Sequence, residues 1–164
     1  MKTAALVRIG GELVLSGPAL TELMTAVLAK GKAFRFRARG WSMSPFVKDG
    51  DVLTVRSLPG RDPRAGEIVA FLHPRSGHVA VHRIVGVADG MFLVRGDNVH
   101  EADGALARDR ILGTVTEIVR DGRRVRGVSR RLGPIWAVLS RAGGLSRGLE
   151  MLRRLVRRPQ KRAS

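Results

Sequence analysis

Residues 33–39 read Ala-Phe-Arg-Phe-Arg-Ala-Arg, with Phe34, Phe36 and Ala38 alternating against Arg35, Arg37 and Arg39. A period of two sends successive side chains to opposite faces of an extended chain, so the segment predicts a strand with one basic face. Residues 51–56, 67–72, 79–87, 91–95 and 111–119 are further short apolar runs. The breaks between them carry turn chemistry: Pro59, Gly60, Pro63 and Gly66, then Asp89-Gly90, Gly96-Asp97-Asn98 and Asp121-Gly122. About six to eight strands at such short spacing predict a mainly β fold, a small and partly closed β-barrel.

The ends read differently. Residues 3–15 are broken by Gly10-Gly11 and suggest a hairpin. Leu20, Leu23, Met24, Val27 and Leu28 share one face of a helix over 18–31, which Gly31 ends. Beyond residue 129, apolar positions such as Ile135, Trp136, Leu149 and Leu152 are interleaved with arginines. That pattern predicts a basic amphipathic helical tail. The expected organisation is an N-terminal hairpin and helix at 1–32, a β domain at 33–128 and the tail at 129–164.

Charge narrows the partners. Lysine plus arginine number 30 against 14 acids, a net charge of +16, and the excess is concentrated in residues 120–162. Such a tail is drawn to polyanions, an anionic membrane surface among them. Nucleic acid is the poorer expectation, because aromatic content is 4% and tyrosine is absent, which leaves few stacking platforms. The chain has no cysteine, which excludes disulfides and thiolate catalysis, and no cofactor is expected. No apolar stretch reaches the ~18 residues of a membrane span. Met1-Lys2 opens a short run broken by Arg8, Gly10, Gly11 and Glu12, unlike a signal peptide. The expected location is peripheral to a bacterial membrane or cytoplasmic.

The chemistry gathers around Gly40-Trp41-Ser42-Met43-Ser44-Pro45, followed by Gly50-Asp51. A serine between a glycine and a proline-fixed corner can project its hydroxyl while its own N–H faces a developing oxyanion. Gly40, Met43 and Pro45 would shape that turn. A serine nucleophile needs a base. Lysine stands only at 2, 30, 32, 48 and 161, and a lysine base usually has to be desolvated, which a loop position such as 48 does not provide. His82 lies inside an apolar strand and is the better candidate, since imidazole exchanges its proton near neutrality. His73 and His78 flank the turn Pro74-Arg75-Ser76-Gly77 and read as solvated. An orienting carboxylate could come from Asp97 or Asp103.

Taken in order, these boxes resemble the signal peptidase I family, in the superfamily shared with the self-cleaving SOS repressors. The matching residues are Ser42-Met43-Ser44-Pro45 with Gly50-Asp51, Gly66 to Phe71, Val81 to Val85, and Arg95 to Asn98 with Asp103. With histidine at the base position, the resemblance is to the archaeal and endoplasmic-reticulum branch. It implies a catalytic set of Ser42, His82 and Asp103, with Asp97 supporting the local fold or the histidine and Arg83 structural. It also implies an extended peptide or preprotein substrate, cut after small residues.

Two rival readings accompany it. One is a maturation protease for a soluble peptide, favoured by the lack of an expected anchor. The other is a non-catalytic basic β-domain that binds membrane or nucleic acid, which leaves the Ser, His and Asp set unexplained. A self-cleaving repressor would call for a lysine base and an upstream DNA-binding helix pair.

Overall fold

The computed structural model describes residues 7–9, 12–14, 17–99 and 101–125. The predicted helical tail at 129–164 and His100 lie outside the described residues. Strands β1 (Val7–Ile9) and β2 (Glu12–Val14) form a small antiparallel hairpin. Helix α1 (Gly17–Ala29) follows. Gly31 stops it in the left-handed region, φ 69°, where its N–H donates to the Leu28 carbonyl at 3.0 Å.

The remaining strands build one antiparallel sheet. They are β3 (Phe34–Arg37), β4 (Val52–Arg56), β5 (Ile68–Leu72), β6 (Val79–Ala88), β7 (Met91–Arg95), β8 (Gly104–Leu106), β9 (Ile111–Arg120) and β10 (Arg123–Arg124). Their order is β3-β4-β9-β5-β6-β7-β8, with β10 extending beside β9. Among the described residues the architecture is thus mainly β with one N-terminal α-helix.

The sheet is open, which corrects the expectation of a partly closed barrel. Its edges are β3 and β8, strands of four and three residues that do not pair with each other. Closure needs a continuous ladder between the first and last strands, and period-two patterning alone carries no information about whether one forms. Instead, α1 packs against the sheet. Met24 and Leu28 form a buried cluster with Phe34, Val55 and Ala70. Thr21 Oγ1 also accepts the backbone N–H of Val79 at 3.1 Å, which ties the helix to the start of β6.

Strand β6 changes partners along its length. Val79 to Arg83 pair with β5, and Arg83 to Ala88 pair with β7. His82 therefore stands at the last position before β7 joins. Val79–His82 are paired on one side only among the described residues.

Candidate active site

The serine turn leaves β3 through Gly40, whose φ of 95° is a conformation that glycine adopts without a Cβ clash. The Gly40 N–H donates to Asp49 Oδ1 at 2.8 Å. Met43 is the anchor: it is buried with Ala38, Val47, Leu53, Ile68 and Ile118. With its neighbour fixed in the core, Ser42 faces outward on a short hydrogen-bonded turn, closed by Ser44 N–H to the Trp41 carbonyl at 3.1 Å. Trp41 itself is 66% exposed.

Below the turn, Asp51 is buried and forms a fork with Arg120, whose Nε and Nη2 each approach it to 2.8 Å. It also accepts the Lys48 backbone N–H at 2.8 Å. Burial pushes the Asp51 carboxyl up, but the Arg120 and Lys48 hydrogen bonds and charges outweigh it and hold the group below its ordinary value. The same pairing raises Arg120. The Gly50-Asp51 box is thus a clamp under the serine turn.

A second clamp comes from β6 and the turn after β7. Arg83 is 1% exposed and bonds bidentately to Asp97, at 2.8 Å from Nε and 2.7 Å from Nη2. Its Nη1 donates to the Gly66 carbonyl at 2.9 Å, and its guanidinium lies 5.3 Å from the Phe46 ring centroid. Asn98 then reaches the serine turn directly. Its backbone N–H donates to the Ser42 carbonyl at 2.8 Å, and its Nδ2 to the Trp41 carbonyl at 3.3 Å. Gly96 makes this approach sterically feasible, since a Cβ there would stand 2.6 Å from the Ser42 carbonyl oxygen.

These clamps bring three reactive side chains into series. His82 Nε2 lies 3.0 Å from Ser42 Oγ. The other ring nitrogen, Nδ1, is hydrogen-bonded to Asp103 Oδ2. A carboxylate at Nδ1 assigns the proton to that nitrogen and leaves Nε2 as an acceptor facing the serine hydroxyl. The His82 side chain is 12% exposed, and the Phe71 ring packs beside it at 5.8 Å between centroids. Asp103 is held by its backbone N–H, bonded to the Val94 carbonyl at 3.0 Å.

Of the residues singled out from sequence, Ser42, His82 and Asp103 come together, and Asp97 turns away to Arg83. Gly40, Met43 and Pro45 shape the turn, Ser44-Pro45 being a cis peptide bond. Lys48 contributes its backbone N–H to Asp51. Sequence reading missed His73. Its Nε2 lies 3.6 Å from Asp103 Oδ1, while Nδ1 accepts from the Ser76 N–H at 3.4 Å. The nearness of His73 to the β5–β6 turn was visible, but nothing in the spacing indicated that Asp103 folds back beside it. The roles of Asn98 and Gly96 in clamping the turn were likewise missed.

A groove of about 570 Å³ runs from Ser42 and His82 between β3 and the one-sided stretch of β6. Phe34 to Gly40 form one wall and Val79 to His82 the other, with Leu20, Leu23, Met43, Val47 and Leu53 completing the lining. No group of His, Cys, Asp and Glu suited to a metal ion occurs among the described residues.

An open antiparallel sheet that carries a serine, a histidine and an acid in hydrogen-bonded series beside an extended groove marks the class of the serine peptidases. Within that class, the chain belongs to the peptidase S24-like family, whose model matches residues 10–116. No curated protein matches the chain.

The family match corrects the resemblance to signal peptidase I and to its archaeal and endoplasmic-reticulum branch. The matching family is the S24 type, a relative of signal peptidase within the same serine-peptidase superfamily. The boxes that carried the resemblance are the ones just seen to clamp the serine turn: Asp51 on Arg120, Asp97 on Arg83, and Asn98 on Ser42. Such contacts hold up a scaffold, so they mark the superfamily and do not separate its branches. Among the described residues, no helix is long and apolar enough to cross a membrane.

Proposed function

We propose that this chain is a serine endopeptidase that processes a soluble, extended peptide through an acyl-enzyme. Ser42 is the nucleophile. His82 accepts the Ser42 proton at Nε2 as Oγ attacks the scissile carbonyl, then passes it to the leaving amine. Asp103 orients the imidazole and stabilises its cationic form. Water then attacks the acyl-enzyme as His82 takes its proton, and His82 returns that proton to Ser42 Oγ as the bond to the acyl group breaks, which restores both residues. The Ser42 backbone N–H, on the turn that follows Gly40, would donate to the oxyanion of each tetrahedral intermediate.

The observation that carries this reading is the series Ser42 Oγ to His82 Nε2 at 3.0 Å with Asp103 on Nδ1. Family membership supports peptide cleavage, and the groove supports an extended substrate. Both the outer edge of β3 and the Val79–His82 stretch lack a strand partner on one side among the described residues. A peptide adding there as a strand would pass Ser42. The apolar wall of Ala38, Met43, Val47 and Leu53 suits small apolar side chains before the cut.

Incubation with a peptide bearing an Ala-x-Ala site tests the reading. Cleavage by the wild-type chain and its loss in Ser42→Ala, His82→Ala and Asp103→Ala are expected. Equal cleavage by Ser42→Ala would end the proposal.

A further inference from the structure

The groove has a charge pattern that peptide cleavage does not require. Arg35, Arg37 and Arg39 are all exposed and all line it. Among the described residues that line it there is no aspartate or glutamate. The alternation that buries Phe34 and Ala38 puts these three arginines on the opposite face of the β3 segment. Arg37 also donates to the Gly50 carbonyl at 3.1 Å, which places its head near the serine turn.

Spacing converts this row into a specificity. Alternate residues of a strand are about 6.7 Å apart, and a peptide added to the β3 edge has the same repeat. Every second side chain of such a peptide falls on the arginine face, and the residues between face the side of Phe34 and Phe36. Opposite charges on neighbouring strands attract, and like charges repel. Arginine also forks onto carboxylates.

We infer that the groove selects an acidic peptide, with Asp or Glu at alternating positions on the side of the cleaved bond that lies along β3, and small or apolar residues between. The occupant is a peptide and not another polyanion, because the basic row borders an unpaired strand edge leading to Ser42 and His82. This inference rests on the peptidase reading for its substrate, but binding can be measured without turnover.

The test uses the full chain carrying Ser42→Ala and two labelled peptides. In one, Glu alternates with Ala on both sides of an Ala-x-Ala site; in the other, Lys replaces Glu. Fluorescence anisotropy should show the Glu peptide bound at least about tenfold more tightly, as expected for two or more cross-strand charge pairs. Adding Arg35→Glu and Arg39→Glu should invert that preference. Since both substitutions are on an exposed edge, an unchanged thermal transition is the control for folding.

Equal binding of the two peptides would overturn the inference, and so would a preference that survives the double charge reversal. Displacement of the Glu peptide by anionic vesicles or a single-stranded oligonucleotide at equal charge concentration would also overturn it, by making the row a general polyanion site. If the Glu peptide binds selectively but the wild-type chain cuts neither peptide, the catalytic reading fails while the acidic groove stands.

Discussion

The backbone N–H of Asn98 donates to the carbonyl of Ser42 at 2.8 Å, joining two segments that lie more than fifty residues apart in the chain. The contact ties the serine turn to the turn after β7, while Met43 anchors it in the core. It depends on Gly96, whose missing Cβ would come within 2.6 Å of the Ser42 carbonyl oxygen and 3.2 Å of His82 Nε2.

Gly96→Ala should therefore damage the site more than the fold. The methyl group would push the serine turn and the histidine apart. Displacements of about 1 Å at a reacting pair can cost about 10²-fold in rate, and overpacking costs about 1–3 kcal/mol. Cleavage kinetics alongside urea denaturation check this: a drop in kcat of that order with a folded protein is expected.

The two acids should separate by assay. Asp103→Asn leaves His82 without the carboxylate that holds its tautomer, and the expected loss in kcat is about 10⁴-fold with little change in stability. Asp97→Asn instead strips the partner from buried Arg83, and breaking a buried pair costs about 3–5 kcal/mol. Denaturation and cleavage measured on both variants should give opposite patterns.

How far these roles could be read in advance differs by residue. The Phe34, Phe36 and Ala38 alternation and the 3.6-residue repeat of Leu20, Met24 and Leu28 are local signals, and β3 and α1 form where they predict. Chain order also put Ser42, His82 and the two acids forward as candidates, and Ser42, His82 and Asp103 stand in hydrogen-bonded series while Asp97 pairs with Arg83. What stayed hidden is long-range. The placement of β9 between β4 and β5, the open edges at β3 and β8, and the Asp51–Arg120 pair across 69 residues depend on the whole sheet. The family branch was misread because the boxes around Ser42 are scaffold contacts, and histidine at the base position was given too much weight. Strand β8 has three residues, Gly104–Leu106, too few for a periodic signal.

Acid should weaken the clamp under the serine turn. The Asp51 carboxyl is held below its ordinary value, so it contributes stability above the unfolded carboxylate value near 3.9. That contribution is lost as pH falls toward and through the lower folded value. Arg120→Met should cost about 3 kcal/mol at pH 7, and the gap to wild type should narrow below about pH 4 as Asp51 protonates. Denaturant titrations at the two pH values check this, and a gap that stays constant would count against the pairing.

Lysine is the base expected for a self-cleaving repressor, and Lys48 is the lysine in the loop nearest Ser42 in sequence. With His82 Nε2 already 3.0 Å from Ser42 Oγ, Lys48→Met should leave kcat/KM near the wild-type level. His82→Lys should not restore it, because a lysine there would have to stay neutral beside Asp103. Steady-state kinetics on both variants decide between the two bases.

The central claim is that His82 and Asp103 activate Ser42 as a nucleophile. Labelling with a fluorophosphonate, which forms a covalent bond with an activated serine hydroxyl, followed by mass mapping, tests it most directly. A single adduct on Ser42 is expected, lost in Ser42→Ala and slowed by orders of magnitude in His82→Ala. An adduct on a different serine, or equal labelling of wild type and His82→Ala, would contradict the account.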